Sequence, residues 1–254
     1  SPSDGKLRPV AFRQDWDYPK TSPLARTGCL CWEGRPYVLL FLANSGLRVG
    51  AHMVAIVDYG MGNLGSVEKA LRFIGAEARL TSDPAEVRAA SAVILPGVGA
   101  FDDCMRNLRE SGLARPVVDA IETGKPFLGI CLGLQVLFEE SEEGGREKGL
   151  SLFRGRVLRF RHSLKIPQIG WNQIRRTQDA PQLAGVPDGA WVYFVHSYHV
   201  QPHDKNLIAT VTDYGYEFPS AVRSENVFAT QFHPEKSQRV GLQILRNFVA
   251  SALP

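Results

Sequence analysis

"KPFLGICLGLQVLFEES", residues 125–141, is an apolar run that breaks at a cysteine set between two glycines and then resumes with helical spacing. The pattern predicts a strand, a tight turn and a helix, with Cys131 at the apex in the Gly-x-nucleophile-x-Gly form. So tight a turn needs small flanking residues, here Gly129 and Gly133. It would lift the thiol off the carboxyl edge of a sheet and set it at a helix N-terminus. There, free N–H groups and the helix dipole favour a thiolate. The amide of Leu132 would then face a bound carbonyl as an oxyanion donor. A buried cysteine in an ordinary glycine-rich βα turn produces the same short pattern, so the rest of the chain has to arbitrate.

Upstream, strand and helix patterns alternate. "MVAIVDYG" from Met53 is a buried strand. "NLGSVEKALRFIG" places Val67, Ala70, Leu71 and Ile74 at helical spacing and stops at Gly75. "AEARLTS" and "SAVILPG" are further strands, and Asp83-Pro84 opens a helix between them as N-cap and first helical residue. "FDDCMRNLRESG" and "ARPVVDAIETG" are helical, with Cys104 packed inside. Apolar, β-branched strands alternating with helices predict an α/β fold with a central, mostly parallel sheet flanked by helices on both faces. After about Gly145 the texture changes to strand-rich segments with polar turns, read as antiparallel additions in the C-terminal half. "RVGLQILRNFVASAL" closes the chain as an amphipathic helix.

Residues 1–52 do not share this regularity. They are rich in turn formers, and only "YVLLFLA" (residues 37–43) could be a strand. They are expected to lie outside the fold, as a disordered extension or a cloning or annotation artefact, with residues 53–254 forming the single functional domain. Composition bounds the rest. Of 254 residues, 44% are hydrophobic and 22% charged, which suits a globular protein. A net charge of +3 is too small to argue for nucleic acid, and no apolar run is long enough to span a bilayer. The four cysteines, Cys29, Cys31, Cys104 and Cys131, form neither a zinc spacing nor a disulfide framework. A reducing cytoplasm is the simplest compartment, and neither a metal nor a cofactor is implied.

A nucleophilic cysteine needs a base. Of the six histidines, His233 in "FATQFHPEKS" has the best setting, because an apolar run ends there and Pro234 turns the chain. Glu235 follows two residues on, a carboxylate able to orient the ring. By itself this is equally a surface strand end. "ILPGVGAF" is a third strand end, whose Gly97-Val98-Gly99 could turn an N–H toward a neighbouring site. It lacks the Lys-Ser/Thr of a P-loop, so an oxyanion role is preferred to phosphate binding.

Together "PGVGAF", "GICLGLQ" and "FHPEKS", in that order, resemble the class I (triad-type) glutamine amidotransferases. "DYGMGNLGSV", "IPQIGWN", "YFVHSYHV" and "FPSAVR" narrow the resemblance to glutaminase subunits of imidazole glycerol phosphate synthase. It spans about 200 residues from Met53 onward. The resemblance implies that Cys131 attacks the γ-carboxamide of L-glutamine, that His233 is base and then acid, and that Glu235 orients it. It implies an oxyanion hole from Leu132 and, after a backbone rearrangement, Val98 or Gly99. Gly97, Gln135, Ser197 and Tyr198 would hold the glutamine. It further implies a heterodimer with a barrel-shaped cyclase subunit, to which ammonia passes. Asn63, Trp171, Asn172, Tyr193 and Lys236 are expected on the partner-facing side. Other readings are a class I subunit for anthranilate, aminodeoxychorismate or pyridoxal phosphate synthesis, a hydrolase of another amide, and a redox-sensing protein with a reactive thiol.

Overall fold

In the computed structural model, which describes residues 53–252, the first half of the domain winds as the periodicities predict. Strand β1 (Val54–Val57) leads to helix α1 (Leu64–Phe73), β2 (Ala78–Thr81), α2 (Pro84–Ala89) and β3 (Ala92–Gly97). Helices α3 (Phe101–Glu110) and α4 (Ala114–Glu122) precede β4 (Phe127–Cys131). Two helix boundaries follow directly from the sequence. The Asp83 carboxylate accepts from the Ala85 amide at 2.8 Å, capping α2 ahead of Pro84. Gly75, with φ of +81°, ends α1 in the left-handed region, and the Ala76 amide folds back to Leu71 O at 3.0 Å.

The segment after Cys131 departs from expectation. A helix through Ser141 is predicted, but α5 (Leu132–Gln135) lasts four residues and the chain then re-extends as β5 (Phe138–Ser141). Val136, Leu137 and Phe138 are all fully buried, so the run has no polar face to present as an amphipathic helix. Leu137 O instead accepts the amides of Leu152 and Phe153, and β5 pairs in parallel with β6 (Phe153–Arg159).

The second half is strand-rich, as its texture predicts. It contains β7 (Gln168–Arg176), β8 (Ala190–His196), β9 (Tyr198–Pro202), β10 (Ile208–Asp213), β11 (Glu217–Ser224) and β12 (Val227–Thr230), closed by α6 (Gln238–Ala250). The main sheet has nine strands in the order β2-β1-β3-β4-β12-β11-β10-β7-β8. It is parallel from β2 to β12 and antiparallel from there on. A smaller sheet, β5-β6-β9, forms because the chain changes sheets at Ser197, between β8 and β9.

Alternate residues of the parallel strands feed two cores. Val54, Ile56, Ile94 and Ile130 pack with residues of α1 and α6, while Val57, Val93, Leu95 and Phe127 pack with residues of α2, α3 and α4. Each fully buried Phe or Leu there removes enough apolar surface to contribute about 1.5–3 kcal/mol. The residues 1–52 expected outside the fold, including Tyr37–Ala43, Cys29 and Cys31, lie outside the described residues. Among those described, no helix is long and apolar enough to cross a membrane.

Candidate active site

Strand order explains how three distant motifs meet. β4 lies between β3 and β12, and all three run parallel, so their carboxyl ends emerge side by side. Gly97, the last residue of β3, is the register partner of Cys131, the last residue of β4. On the other side Thr230 pairs with Ile130, and His233 follows three residues later.

The turn at Cys131 is strained and enforced by its glycines. Cys131 has φ of +57° and ψ of −105°, unusual for a residue with a side chain. A β-carbon at residue 133 would lie 1.8 Å from Leu95 O, and one at residue 129 would lie 2.5 Å from Gly133 O. Gly97 is equally tight, since its β-carbon would meet Leu132 Cβ at 2.6 Å. With only four residues, α5 supplies a smaller dipole than a full helix, so the electrostatics at the sulfur depend chiefly on its side-chain neighbours.

The foremost neighbour is His233. Its Nδ1 is 2.8 Å from Glu235 Oε1, with both side chains buried. A 3-10 turn beginning at Pro234 brings the carboxylate back to the ring. The main chain is held by the Tyr193 carbonyl, which accepts the His233 amide at 2.9 Å, and by Ser237 Oγ, which donates to His233 O at 2.7 Å. The other ring nitrogen, Nε2, is buried with no hydrogen-bond partner among the described residues. Burial works against the charged ring, yet the Cys131 sulfur and the Glu235 carboxylate outweigh it and raise the His233 pKa. His196, also close by, differs. Burial lowers it to about 3, and its Nδ1 is 2.8 Å from Tyr198 O, so it is a neutral structural ring and a poor base.

A pocket of about 360 Å³ opens over the sulfur. Of the residues expected to serve the reaction, Val98, Gly99, Cys131, Leu132, Gln135, Ser197 and Tyr198 line it, and so does Lys236, expected instead on the partner-facing side. Gly97 does not; it is buried at the register partner of Cys131 and packs against the elbow. Trp171, Tyr193 and Lys236 form one column beside the pocket. The Trp171 and Tyr193 rings are 6.1 Å apart and edge-on, and Lys236 Nζ lies 5.8 Å from the Tyr193 ring centre. Asn172 is not in that column. Strand alternation turns it to the other face of β7, where its Nδ2 donates to Asp213 O at 2.8 Å. Asn63 is the N-cap residue of α1.

Sequence reasoning missed five residues at the site: His196, Glu143, Pro167, Val195 and Gln231. Glu143, half-buried in the pocket wall, accepts from the Phe101 amide at 2.9 Å, and burial raises its carboxyl pKa. Its run, "EESEEGGREK", looks like a solvated surface and carries no signal. Pro167 and Val195 also line the pocket. Gln231 is wholly buried, and its Nε2 is 3.6 Å from Cys131 Sγ. Its place two residues before His233, in the same short segment after β12, was the available signal.

The family model for glutamine amidotransferase class-I matches residues 55–252. The chain belongs to the class I glutamine amidotransferases. This amidotransferase is 52% identical over 196 residues to an imidazole glycerol phosphate synthase subunit HisH of Caldanaerobacter subterraneus subsp. tengcongensis, covering 77% of this chain and 97% of that one. It is 53% identical over 203 residues to the protein of the same name from Syntrophotalea carbinolica, covering 77% and 98%. Among solved structures, a glutamine amidotransferase crystal structure matches with a TM-score of 0.63 at 20% identity, over 78% of this amidotransferase and 98% of that chain, a likeness of fold.

Proposed function

We infer that this chain hydrolyses L-glutamine to glutamate and ammonia, as the glutaminase subunit of an imidazole glycerol phosphate synthase in histidine biosynthesis. The observation that carries the chemistry is the buried Cys131, His233, Glu235 group on adjacent strand ends beneath an open pocket. Half-identity to HisH subunits along nearly their whole length carries the pathway.

In the proposed reaction, His233 holds the proton taken from Cys131, and the thiolate adds to the glutamine amide carbon. The new oxyanion is received by the Leu132 amide at the start of α5 and by the Val98 or Gly99 amide. The tetrahedral species collapses to a thioester as the imidazolium gives its proton to departing ammonia. Water, deprotonated by His233, then releases glutamate and restores the thiol. The raised pKa of His233 suits its role as the base that takes the proton of Cys131 and then of water. Glu235 keeps the Nδ1 proton in place and compensates the imidazolium charge.

The pocket walls sort the substrate's ends. Glu143 is a carboxylate in the wall, placed to attract the α-ammonium group, with the Ser197–Tyr198 segment flanking it. Both amide hydrogens of Gln135 are committed, to Tyr198 O at 3.0 Å and Gln231 Oε1 at 3.1 Å, which leaves its oxygen to meet the substrate.

The partner in this reading is the barrel-shaped cyclase, and both work in the cytoplasm. The Trp171, Tyr193, Lys236 column would meet it. Trp171 is 43% exposed, and Ile169 and Trp191 nearby on β7 and β8 are more so, an apolar surface of the kind that anchors subunits. Partner binding would rearrange residues 97–99 to complete the oxyanion hole, which prevents wasteful glutaminase turnover in the free subunit.

The test is glutamate release from glutamine by the chain alone and with the cyclase subunit plus its ribonucleotide ligand. Strong stimulation is expected, with complete loss in Cys131→Ala. Stimulation only by another synthase's partner would move the chain to a different pathway.

A further inference from the structure

The Cys131 sulfur is met by a run of buried side-chain amides. Gln231 Nε2 is 3.6 Å from Cys131 Sγ, Gln135 Nε2 is 3.1 Å from Gln231 Oε1, and the same Gln135 nitrogen is 3.0 Å from Tyr198 O. Gln231 is fully buried and Gln135 is 3% exposed, so no solvent substitutes for these bonds. The direction of the run is determined at its far end. A main-chain carbonyl only accepts, so Gln135 must turn its NH₂ toward Tyr198. Its second N–H then points at Gln231, which must answer with oxygen. Gln231 is left with its own NH₂ facing the sulfur. Reversing that amide would set donor against donor in a buried site and strand both. The Val195 carbonyl, 4.0 Å from the sulfur, can only accept, so Gln231 supplies a donor that Val195 cannot.

We propose that Gln231 is a positioning residue for the nucleophile: its amide holds the Cys131 sulfur as a hydrogen-bond acceptor, and the Gln135–Tyr198 end of the run ties that orientation to the strand bordering the substrate pocket. The inference deepens the reading of Cys131 as nucleophile and rests on it. Gln231 and His233 both lie in the short bend between the end of β12 and the 3-10 turn at Pro234, so one strand end presents both the base and the donor to the sulfur. A donor there favours the sulfur anion before attack and again when the thioester releases it as leaving group.

The experiment compares the unsubstituted chain, Cys131→Ala, Gln231→Glu and Gln231→Met, each in complex with the cyclase subunit. Two readouts are taken: glutaminase kcat and KM, and the pH dependence of Cys131 alkylation by iodoacetamide, followed on its own peptide by mass spectrometry. Gln231→Glu preserves the acceptor for Gln135 but sets a carboxylate oxygen against the sulfur. Its alkylation profile is expected to move to higher pH. Its kcat is expected to fall about tenfold or more, the scale of a hydrogen bond to a charged group, with KM changed by less than about threefold. Gln231→Met is expected to shift both in the same direction. Superimposable alkylation profiles, or a raised KM with kcat retained, would overturn the proposal. Should either variant fail to fold, the unsubstituted protein suffices: the ¹⁵N-labelled Gln231 amide signals should titrate with the alkylation midpoint, and signals indifferent to pH would overturn it. Persistent turnover in Cys131→Ala would instead sink the underlying reading, whatever Gln231 does.

Discussion

Cys131 is held in a backbone conformation that most side chains avoid, and His233 carries a pKa displaced upward; both come from neighbours rather than from the residues themselves. The sign of the second effect is testable. A raised value means that folded His233 binds its proton more tightly than the unfolded chain does. Its contribution to stability is therefore fully present below its ordinary value of 6.5 and is lost as pH rises through the raised folded value. The urea-midpoint gap between the unsubstituted chain and His233→Asn is expected to be widest near or below about pH 6 and to narrow into the alkaline range. A gap that widened with pH would mean the ring is buried neutral.

The strand–turn–helix around Cys131 works because backbone passes backbone without intervening side chains. Gly133→Ala would drive a methyl into Leu95 O, a main-chain atom that cannot rotate away. The expected loss is at least about 1–3 kcal/mol of stability, with glutaminase activity lost in parallel. Gly65, in the first turn of α1, is the counter-case. It has open space where a β-carbon would go and no positive φ, so Gly65→Ala is expected to be neutral or stabilising by up to about 1 kcal/mol. Denaturant unfolding of the two variants should give opposite signs. If both destabilised equally, steric exclusion at the elbow would not be the reason for its glycines.

For the whole molecule, the antiparallel half of the sheet does two things. β8, the edge strand, carries Tyr193 and Trp191 beside Trp171 on β7, and its C-terminal end delivers Val195, His196 and Ser197 to the pocket. The proposed partner surface and the substrate pocket thus share one strand. Trp171→Ala is expected to weaken association with the cyclase subunit by about tenfold or more, measured by calorimetry, while the free chain unfolds at nearly the same denaturant concentration. Unchanged affinity would remove Trp171 from the interface. Asn172→Ala, whose side chain bonds to Asp213 O on the other face of β7, should leave that affinity unchanged.

The sequence by itself determined the alternation of strands and helices, the α2 cap at Asp83 and the α1 stop at Gly75. It also identified the residues with reactive chemistry, Cys131, His233 and Glu235. These are local matters, in which side-chain periodicity, capping and turn chemistry act over a few neighbours. Only the tertiary structure decided that Val136–Phe138 turns aside into a strand, because a run buried on every side has no periodicity to distinguish helix from strand. The same holds for Gln231 and Glu143, whose importance depends on which distant atoms lie against them. Strand order, with β4 seated between β3 and β12, set Cys131 beside His233 although they are far apart along the chain. That order follows from long-range pairing of strand edges, a preference that no single segment carries.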